Sequence, residues 1–211
     1  MQQRRICRFP VISSPCCSER NRPDVVAKRE AWPDSVASID LDKLVFLDES
    51  GVNTNMSRRY ARAYGGERAT DAVPLNKGQS TTIRSSVRMD GTTVPMVFPG
   101  AINREKFKEY LRDYLAFSLR PGDVVIMDNL PCHKVMGVAE LIEAAGAFIL
   151  YLPPYSPDLN PIEMMWSKIK AYLRMVKART TDALLSAIPL AFSKVIISDI
   201  QGWFAGAGYS S

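Results

Sequence analysis

The sequence predicts an α/β protein in which one sheet carries helices on its faces. Short apolar runs of strand length alternate with longer segments whose apolar residues recur at helical spacing. One run, residues 124–127 in "DVVIMDN", is apolar at every position, which is typical of a strand covered on both faces. A chain of 211 residues that is 46% hydrophobic is long enough for one sizeable core. Together these observations favour a single folded domain of the α/β class.

The first half of the chain is predicted to contain a leader and three strands. Residues 1–35 mix Arg, Ser, Pro and Cys without helical or strand period, and we predict an irregular leader there, with a short helix around Val25 to Trp32. The folded domain is predicted to occupy residues 36–211. It begins with a strand in "LDKLVFLDES", followed by two strands in "STTIRSSVRMDGTTVPMVF" that are joined by a turn at Asp90-Gly91.

The remainder alternates helices and strands. "INREKFKEYLRDYLAFSL" repeats apolar residues at helical spacing and ends before Pro121-Gly122. The strand "DVVIMDN", the helix "HKVMGVAELIEAAG", the strand "AFILYL" and the helix "NPIEMMWSKIKAYLRMV" follow in that order. A last helix is predicted from about Thr181 to Val195, with Thr180 or Thr181 as its cap and a break at Pro189.

Two acidic residues stand at the ends of predicted strands. Asp48 closes the apolar run "LVFL" and Asp128 closes "VVIM", and strand ends are where α/β sheets usually place their sites. A carboxylate beside a buried run is costly unless it is solvated, paired or bound to a metal ion. The alternative is that each aspartate is merely the first polar residue of a loop.

A third acid follows a loop with four prolines, "LPPYSPDLNPIEMMW". Prolines restrict the backbone, so this loop has few conformations to lose on folding and can hold Glu163 in place relative to the two aspartates. Asn160-Pro161-Ile162-Glu163 also fits an ordinary helix start, with Asn160 as the N-cap and Glu163 bonding back to it. Taken alone, these four residues favour the capping interpretation.

Basic residues weakly favour a polyanionic partner. The net charge is +5 and the pI is near 9.1. Arg58 and Arg59 begin a basic segment, and Arg84 and Arg88 lie in a predicted strand. A solvated charged surface is the alternative.

The helix that follows the proline loop carries a mixed stripe of charges. At spacings of three and four residues, Glu163 is followed by Lys170, Arg174 and Lys177. A carboxylate at one end with cations below it would suit a phosphate backbone that approaches an acidic site. An exposed helix face would look similar, so the stripe only supports that hypothesis.

The sequence has no feature of a membrane or secreted protein. No stretch approaches the roughly 18 to 20 apolar residues that a membrane span needs, and the basic start lacks the apolar segment of a signal peptide. We therefore expect a cytoplasmic protein without a membrane partner.

Three segments carry a family resemblance. "LVFLDES", "VVIMDN" and above all "LYLPPYSPDLNPIEMMWSKIK" resemble the catalytic core of the DDE transposases, in the bacterial insertion-sequence branch related to the mariner elements. Between Asp128 and Glu163 lie 34 residues, the separation typical of that branch. The resemblance covers roughly residues 24–209 and includes "RRYARAYGGERA", "DNLPCHK" and "AGYSS".

The resemblance implies a fold and a reaction. The expected fold is a ribonuclease H-like mixed sheet with helices on both faces. Asp48, Asp128 and Glu163 are expected to bind two Mg²⁺ ions, with Mn²⁺ as a substitute, because hard oxygen ligands suit these ions. The expected activity is cleavage and strand transfer of double-stranded DNA at the element ends and the target, by a homodimer associated with the bacterial nucleoid.

The resemblance also implies roles for neighbouring residues. Asn129 and His133 match the family's "DN...H" pattern and are expected to position DNA or to support Asp128. His133 could equally cap the following helix, and Glu49 better suits a supporting partner than a third ligand. Arg58, Arg59, Lys170, Arg174 and Lys177 are the expected DNA contacts.

Family members usually carry a helix-turn-helix region before the catalytic domain, and only the irregular leader precedes residue 24 here. The alternative function is therefore a truncated, inactive transposase remnant that binds DNA or pairs with the full-length protein.

Overall fold

The computed structural model describes residues 18–58, 60, 65, 68, 70–75, 80–129 and 137–210. Five strands form one mixed sheet in the order β3-β2-β1-β4-β5. β1 is antiparallel to β2 and parallel to β4, β3 is antiparallel to β2, and β5 is parallel to β4. The predicted mixed sheet is thus confirmed, and its strands are β1 (Leu44–Val52), β2 (Thr81–Arg88), β3 (Met96–Pro99), β4 (Val124–Met127) and β5 (Phe148–Tyr151).

Helices cover both faces of this sheet, as the resemblance implied. The third helix continues into a π-helical turn at Leu111–Leu115 and a 3₁₀ turn at Ala116–Ser118. The helices within the described residues are α1 (Pro23–Glu30), α2 (Trp32–Val36), α3 (Arg104–Tyr110), α4 (Val138–Ala144), α5 (Pro161–Val176), α6 (Thr181–Phe192) and α7 (Ile197–Gly206).

Side chains that alternate along β1 divide the interior into two layers. Leu44 and Phe46 belong to a core shared with α2, α5, α6 and α7, whereas Val45 and Leu47 belong to a core shared with α3 and α4. Successive residues of a strand point to opposite faces. Asp48 therefore belongs to the α5 face of the sheet, and its neighbour Glu49 to the α3 face.

The irregular leader predicted for residues 1–35 includes residues that are helical in the structure. Residues 18–36 form a 3₁₀ turn, α1 and α2, and the short helix expected around Val25 to Trp32 is present as α1. Trp32 is buried in the core and its indole N–H donates to the hydroxyl of Tyr209 at 2.8 Å. Helical structure thus begins well before the predicted boundary at residue 36, while residues 1–17 lie outside the described residues.

The C-terminal part contains one helix more than predicted. Thr180 caps α6 by accepting from the N–H of Ala183 at 3.2 Å, but α6 continues through Pro189 instead of breaking there. The proline removes the partner of the Leu185 carbonyl, and Leu185 lies at the exposed side, where water can satisfy it. α7 follows, and its first turn is closed by Asp199, which accepts from the N–H of Ile196 at 3.0 Å.

Within the described residues, no single helix has both the length and the apolar composition to cross a membrane; α6 and α7 reach them only as a pair bent by 80°.

Candidate active site

Asp48 and Asp128 come from adjacent parallel strands. The parallel ladder of β1 and β4 ends with Leu47 opposite Met127, so each aspartate is the next residue on its own strand. Neighbouring strands lie about 4.8 Å apart, so the two aspartates are neighbours just beyond the end of this strand pairing. Asp48 was predicted to end its strand, but β1 continues to Val52 because its pairing with β2 extends beyond the ladder with β4.

Glu163 is brought to the same place by α5. This helix packs against β1, with Ile162, Trp166 and Ile169 buried in the core between helix and sheet. The indole N–H of Trp166 donates to Oδ2 of Asp48 at 3.0 Å. Glu163 lies in the first turn of α5, three residues from Trp166, so it shares the end of the helix that faces Asp48.

Glu163 does not cap its own helix. Asn160 occupies the N-cap position, but its side chain makes no capping hydrogen bond. The N–H of Asn160, which a capping glutamate would bind, donates to the carbonyl of Pro157 at 3.2 Å. Among the described residues no partner is found for either polar atom of the buried Asn160 side chain. The capping interpretation is therefore wrong, and the carboxylate of Glu163 is left for another role.

The acids act on one another electrostatically. Burial is the main cause that raises the pKa of Asp48 to about 8, and the negative charges of Glu163 and Asp128 add to it. The backbone N–H of Glu49 and the indole of Trp166 lower that pKa only in part. Two negative charges close together are costly where hydration is poor, and a carboxylate in that position usually becomes protonated.

The same effects act on Glu163. The residue is exposed as a whole, but its carboxyl group has lost part of its hydration, and this loss is the main cause that raises its pKa. Asp128 raises it further, whereas the positive charge of Lys170 lowers it. The three predicted acids therefore form one electrostatically coupled cluster.

The chemistry of this cluster fits a hard divalent ion. Carboxylate oxygens are the ligands that Mg²⁺ and Mn²⁺ prefer, and a cation would relieve the repulsion that raises these pKa values. Among the described residues, however, no three carboxylate, imidazole or thiol groups are spaced so that they could hold an ion as they stand. Side-chain movement would be needed for the three acids to share ions.

A cavity of about 350 Å³ adjoins Asp128. Its wall is made by the start of the loop after β4 and by the proline-rich loop before α5: Asp128, Asn129, Pro153, Pro154, Tyr155, Ser156 and Pro157. The cavity gives the cluster an opening beside one of its acids.

The supporting residues predicted around the acids have different positions. The side-chain oxygen of Asn129 is buried at this cavity without a hydrogen-bond partner in the described part of the chain. Glu49 lies on the α3 face, where it pairs with the buried Arg84, so its carboxylate faces away from Asp48. His133 lies outside the described residues.

The predicted DNA contacts differ in availability. Arg58 is exposed, and Lys170 is half-buried near Glu163. Arg174 is half-buried, while Lys177 forms a salt bridge with Asp71 at 2.8 Å. Arg59 lies outside the described residues.

Two of the arginines counted among the basic residues in the sequence are buried. Arg84 and Arg88 are each 2% exposed, and they pair with Glu49 and Asp123 respectively. They stabilise the α3 side of the sheet and are not available to a polyanion.

Trp166 is the site residue that sequence reasoning missed. It is buried in the core between α5 and the sheet. Its hydrogen bond to Asp48 adds a second role, because it fixes one oxygen of that carboxylate. Its spacing from Glu163 could have indicated this role, since residue 166 lies one helical turn beyond Glu163 and so faces the same neighbours.

The strand order, the helices on both faces and the acids at the end of the parallel ladder define a ribonuclease H-like fold. The chain belongs to the DDE superfamily endonuclease family, whose sequence profile matches residues 43–185.

Curated relatives are transposases. The chain is 29% identical over 95 residues to the Tc1 transposase of Caenorhabditis elegans, a match that covers 45% of this chain and 35% of the relative. It is 27% identical over 106 residues to the Tcb1 transposase of Caenorhabditis briggsae, covering 48% and 39% respectively. The matched regions thus span little more than a third of either relative.

Solved structures with the same fold include Mos1 transposase. In its paired-end complex with the left transposon end, the TM-score is 0.72 at 17% identity, covering 88% of this chain and 60% of that chain. For the catalytic domain of Mos1 mariner transposase alone, the TM-score is 0.64 at 14% identity, and 90% of each chain is covered. The chain therefore has the size and fold of a transposase catalytic domain.

Proposed function

We propose that this chain cuts and joins DNA strands as the catalytic domain of a transposase, with two divalent ions held by Asp48, Asp128 and Glu163. The observation that carries the proposal is that β1, β4 and α5 bring these three acids so close that Glu163 and Asp128 raise the pKa of Asp48 and Asp128 raises the pKa of Glu163. An uncompensated cluster of like charges is unfavourable for folding and is typical of a site that binds a cation.

The neighbouring structures support the ions and the DNA. Mos1 paired-end complexes are described with Mn and with Mg, and one holds the left transposon end. In the present chain, bound ions would supply Lewis-acid chemistry: activation of an attacking oxygen and stabilisation of a leaving oxygen at phosphorus.

The chain's own residues would orient the reacting groups. Trp166 donates to one oxygen of Asp48 at 3.0 Å and would thereby fix the orientation of that carboxylate for a bound ion. The raised pKa of Asp48 means that the carboxyl group must release a proton before it can bind an ion. Lys170 is near enough to act on Glu163 and would place a positive charge beside an approaching phosphate.

The proposed reaction needs no covalent link to the protein. Water attacks a phosphorus atom at the element end, the bond from phosphorus to the 3′ oxygen breaks, and a 3′-hydroxyl and a 5′-phosphate are released. The freed 3′-hydroxyl then attacks a target phosphodiester, forms a new bond to phosphorus and displaces the target's own 3′ oxygen. The protein aligns these oxygens and does not act as the nucleophile.

The test is nicking of supercoiled plasmid by purified protein in Mg²⁺ or Mn²⁺. Asp128→Asn is the matched variant, because it keeps the shape of the side chain and removes its charge. We expect nicking by the wild type, none with EDTA, and a loss of at least about a hundredfold in the variant, as for removal of an essential electrostatic group. Wild-type nicking no faster than that of the variant would refute the activity and favour the inactive remnant.

We also propose that the active form is a homodimer that works on nucleoid DNA in the bacterial cytoplasm, since two element ends must be cut together. Of the DNA contacts predicted from the sequence, Arg58 and Lys170 are the ones proposed to bind DNA, since Arg58 is exposed and Lys170 lies near Glu163. Sedimentation with and without DNA ends tests the dimer; a monomer under both conditions would contradict it.

A further inference from the structure

Two sets of hydrogen bonds fasten the proline-rich loop, residues 152–160, to segments far away in the chain. The first comes from Arg29 on α1. Its guanidinium binds both oxygens of Asp158, at 2.6 and 3.0 Å, and it also donates to the hydroxyl of Ser156 at 2.6 Å. Arg20 adds a third contact to Asp158 at 2.9 Å. A two-pronged pair of this kind fixes direction as well as distance.

This contact also lowers the pKa of Asp158. Burial alone would raise the pKa of its carboxyl group, but the hydrogen bonds and charge of Arg29, together with Arg20, outweigh burial and lower that pKa below its ordinary value. The side chain of Arg29 is 16% exposed and that of Asp158 is 45% exposed, so the arginine is held against the protein while the carboxylate stays partly in solvent.

The second set comes from the C-terminal end. The hydroxyl of Tyr209 donates to the carbonyl of Leu159 at 2.7 Å and accepts from the indole N–H of Trp32 at 2.8 Å. Tyr209 and Trp32 are 3% and 4% exposed. The ring of Tyr209 also packs on Phe46, two residues before Asp48, with 4.9 Å between ring centroids. One tyrosine thus contacts both the loop before Glu163 and the strand that carries Asp48.

The fastened segment leads directly into the acid. Leu159 is followed by Asn160 and by Pro161, the first residue of α5, so Glu163 lies four residues beyond the contact with Tyr209. Within the loop, Tyr155 has a φ of 55°, a left-handed conformation that a bulky side chain keeps only when its surroundings enforce it. Arg29 approaches the carbonyl of this same residue at 3.4 Å.

We propose that Arg29, Trp32 and Tyr209 are positioning residues for Glu163. This proposal rests on the function proposed above and adds a role for segments outside residues 43–185, the part that matches the family profile. A loop that is already ordered does not have to be ordered when an ion binds, so the contacts increase ion affinity without touching the ion.

The test is a double variant, Asp158→Asn with Tyr209→Phe, which removes a charge and a hydroxyl while keeping both shapes. Its matched control is Asp90→Asn, which breaks the exposed salt bridge between Asp90 and Arg120. The asparagine can still accept from the N–H of Thr92, as Asp90 does at 2.8 Å, so the turn after β2 is kept.

The first readout is hydrogen exchange without metal. In the double variant we expect the amides of residues 158–160, 162 and 163 to exchange about tenfold faster, with amides of β1 unchanged, because only the loop is released. The control should exchange like the wild type. Unchanged exchange at residues 158–163, or equal acceleration throughout the chain, would overturn the proposal.

The second readout is the affinity for Mn²⁺, measured by isothermal titration calorimetry. We expect the double variant to bind about tenfold more weakly, the single variants to lie between, and the control to match the wild type. Faster exchange with unchanged Mn²⁺ affinity would show a merely structural contact and overturn the proposal. Absence of Mn²⁺ binding by the wild type would instead refute the proposed function, and the exchange rates would still decide whether these contacts order the loop.

Discussion

Replacing Asp48 by asparagine is predicted to stabilise the protein when no divalent ion is present. Asparagine has nearly the same shape, and its side-chain oxygen can still accept from Trp166, as Asp48 does at 3.0 Å. The substitution removes the charge that burial, Glu163 and Asp128 make unfavourable. Most substitutions of a buried polar residue destabilise a protein, so a gain in stability would be a specific signature of this acidic cluster.

The magnitude follows from the pKa of Asp48. A carboxyl group that titrates near 8 in the folded chain, instead of near 3.8, weakens folding by about 5 kcal/mol at pH 8. Asp128 and Glu163 share the repulsion and can relax, so we expect asparagine to recover less than half, about 2 kcal/mol. For a chain of this size, that gain corresponds to a rise in Tm of about 4 to 8 °C.

The stability gained by Asp48→Asn should increase as the pH rises. Below about pH 4, Asp48 is protonated in both the folded and the unfolded chain, so the two proteins should be equally stable. As the pH rises towards 8, the unfolded wild type loses this proton while the folded wild type keeps it, and the wild type becomes progressively less stable than the variant. Above the folded-state pKa of about 8 the difference should level off.

The assay is thermal unfolding in EDTA at about pH 5 and about pH 8, repeated with Mn²⁺. Ion binding stabilises only the protein that binds it, so added Mn²⁺ should raise the Tm of the wild type and not that of Asp48→Asn. Asp199→Asn is the control: its salt bridge with Lys168 lowers the pKa of Asp199, and its loss should destabilise at high pH. A lower Tm for Asp48→Asn at pH 8, or an equal gain at both pH values, would refute the reasoning.

Four further substitutions test separate parts of the structure. Asp123→Asn leaves Arg88 buried without its charged partner and should cost about 3 to 5 kcal/mol in urea unfolding; a cost below about 1 kcal/mol would contradict a buried pair. Thr180→Ala removes the cap of α6 and should cost about 1 kcal/mol in the same assay, with nicking unchanged. Lys170→Gln should reduce the slope of log affinity for duplex DNA against log salt by about 0.9, and an unchanged slope would exclude a phosphate contact. Trp166→Phe loses the hydrogen bond to Asp48 and should slow nicking about tenfold while leaving DNA affinity unchanged, whereas weaker DNA binding would point to a distorted domain.

The strands were predictable where the sequence pattern follows directly from burial. Residues 124–127 are apolar at every position because β4 lies between two other strands and under helices on both faces. β2 is different: all eight of its residues are buried, although several are polar or charged. Arg84 and Arg88 are tolerated there because Glu49 and Asp123, each 35 positions away, neutralise them. Such distant pairing leaves no mark in the local sequence pattern.

The helices near the two ends of the chain, α2 and α7, were harder to predict because they too depend on contacts with distant residues. α7 has Gly202 in its interior, and glycine there lowers helix propensity by about 1 kcal/mol relative to alanine. Its stability comes from tertiary packing, since Ile200 and Phe204 are buried against the core. The short α2 likewise depends on the burial of Trp32. Local sequence does not reveal these contacts, so an irregular leader and a single last helix were the natural predictions.

The candidate site was partly predictable because two of its acids are marked by strand ends. Asp48 and Asp128 follow apolar runs, and the register of β1 and β4 makes them neighbours. Whether Glu163 caps its own helix could be decided only from the structure, because it depends on whether the N–H of Asn160 donates to the Glu163 carboxylate or to the Pro157 carbonyl. The metal-binding role of the three acids, and the roles of Asn129 and His133, stay predictions.

The raised pKa values also explain how the fold tolerates its acidic cluster. Three like charges can lower their repulsion by moving apart or by taking up protons. Moving Glu163 away further than rotation of its side chain allows would withdraw the first turns of α5 from the sheet and expose Ile162, Trp166 and Ile169, which are at most 2% exposed. Each such side chain contributes about 1.5 to 3 kcal/mol by its burial, so withdrawal would cost roughly 5 to 9 kcal/mol. Keeping Asp48 protonated in the folded chain costs about 4 kcal/mol at pH 7, because its pKa is about 8 there and near 3.8 in the unfolded chain, and this cost is below that of withdrawing the helix. The cluster therefore takes up protons while α5 keeps its place, and a divalent ion would replace a proton without requiring the helix to move.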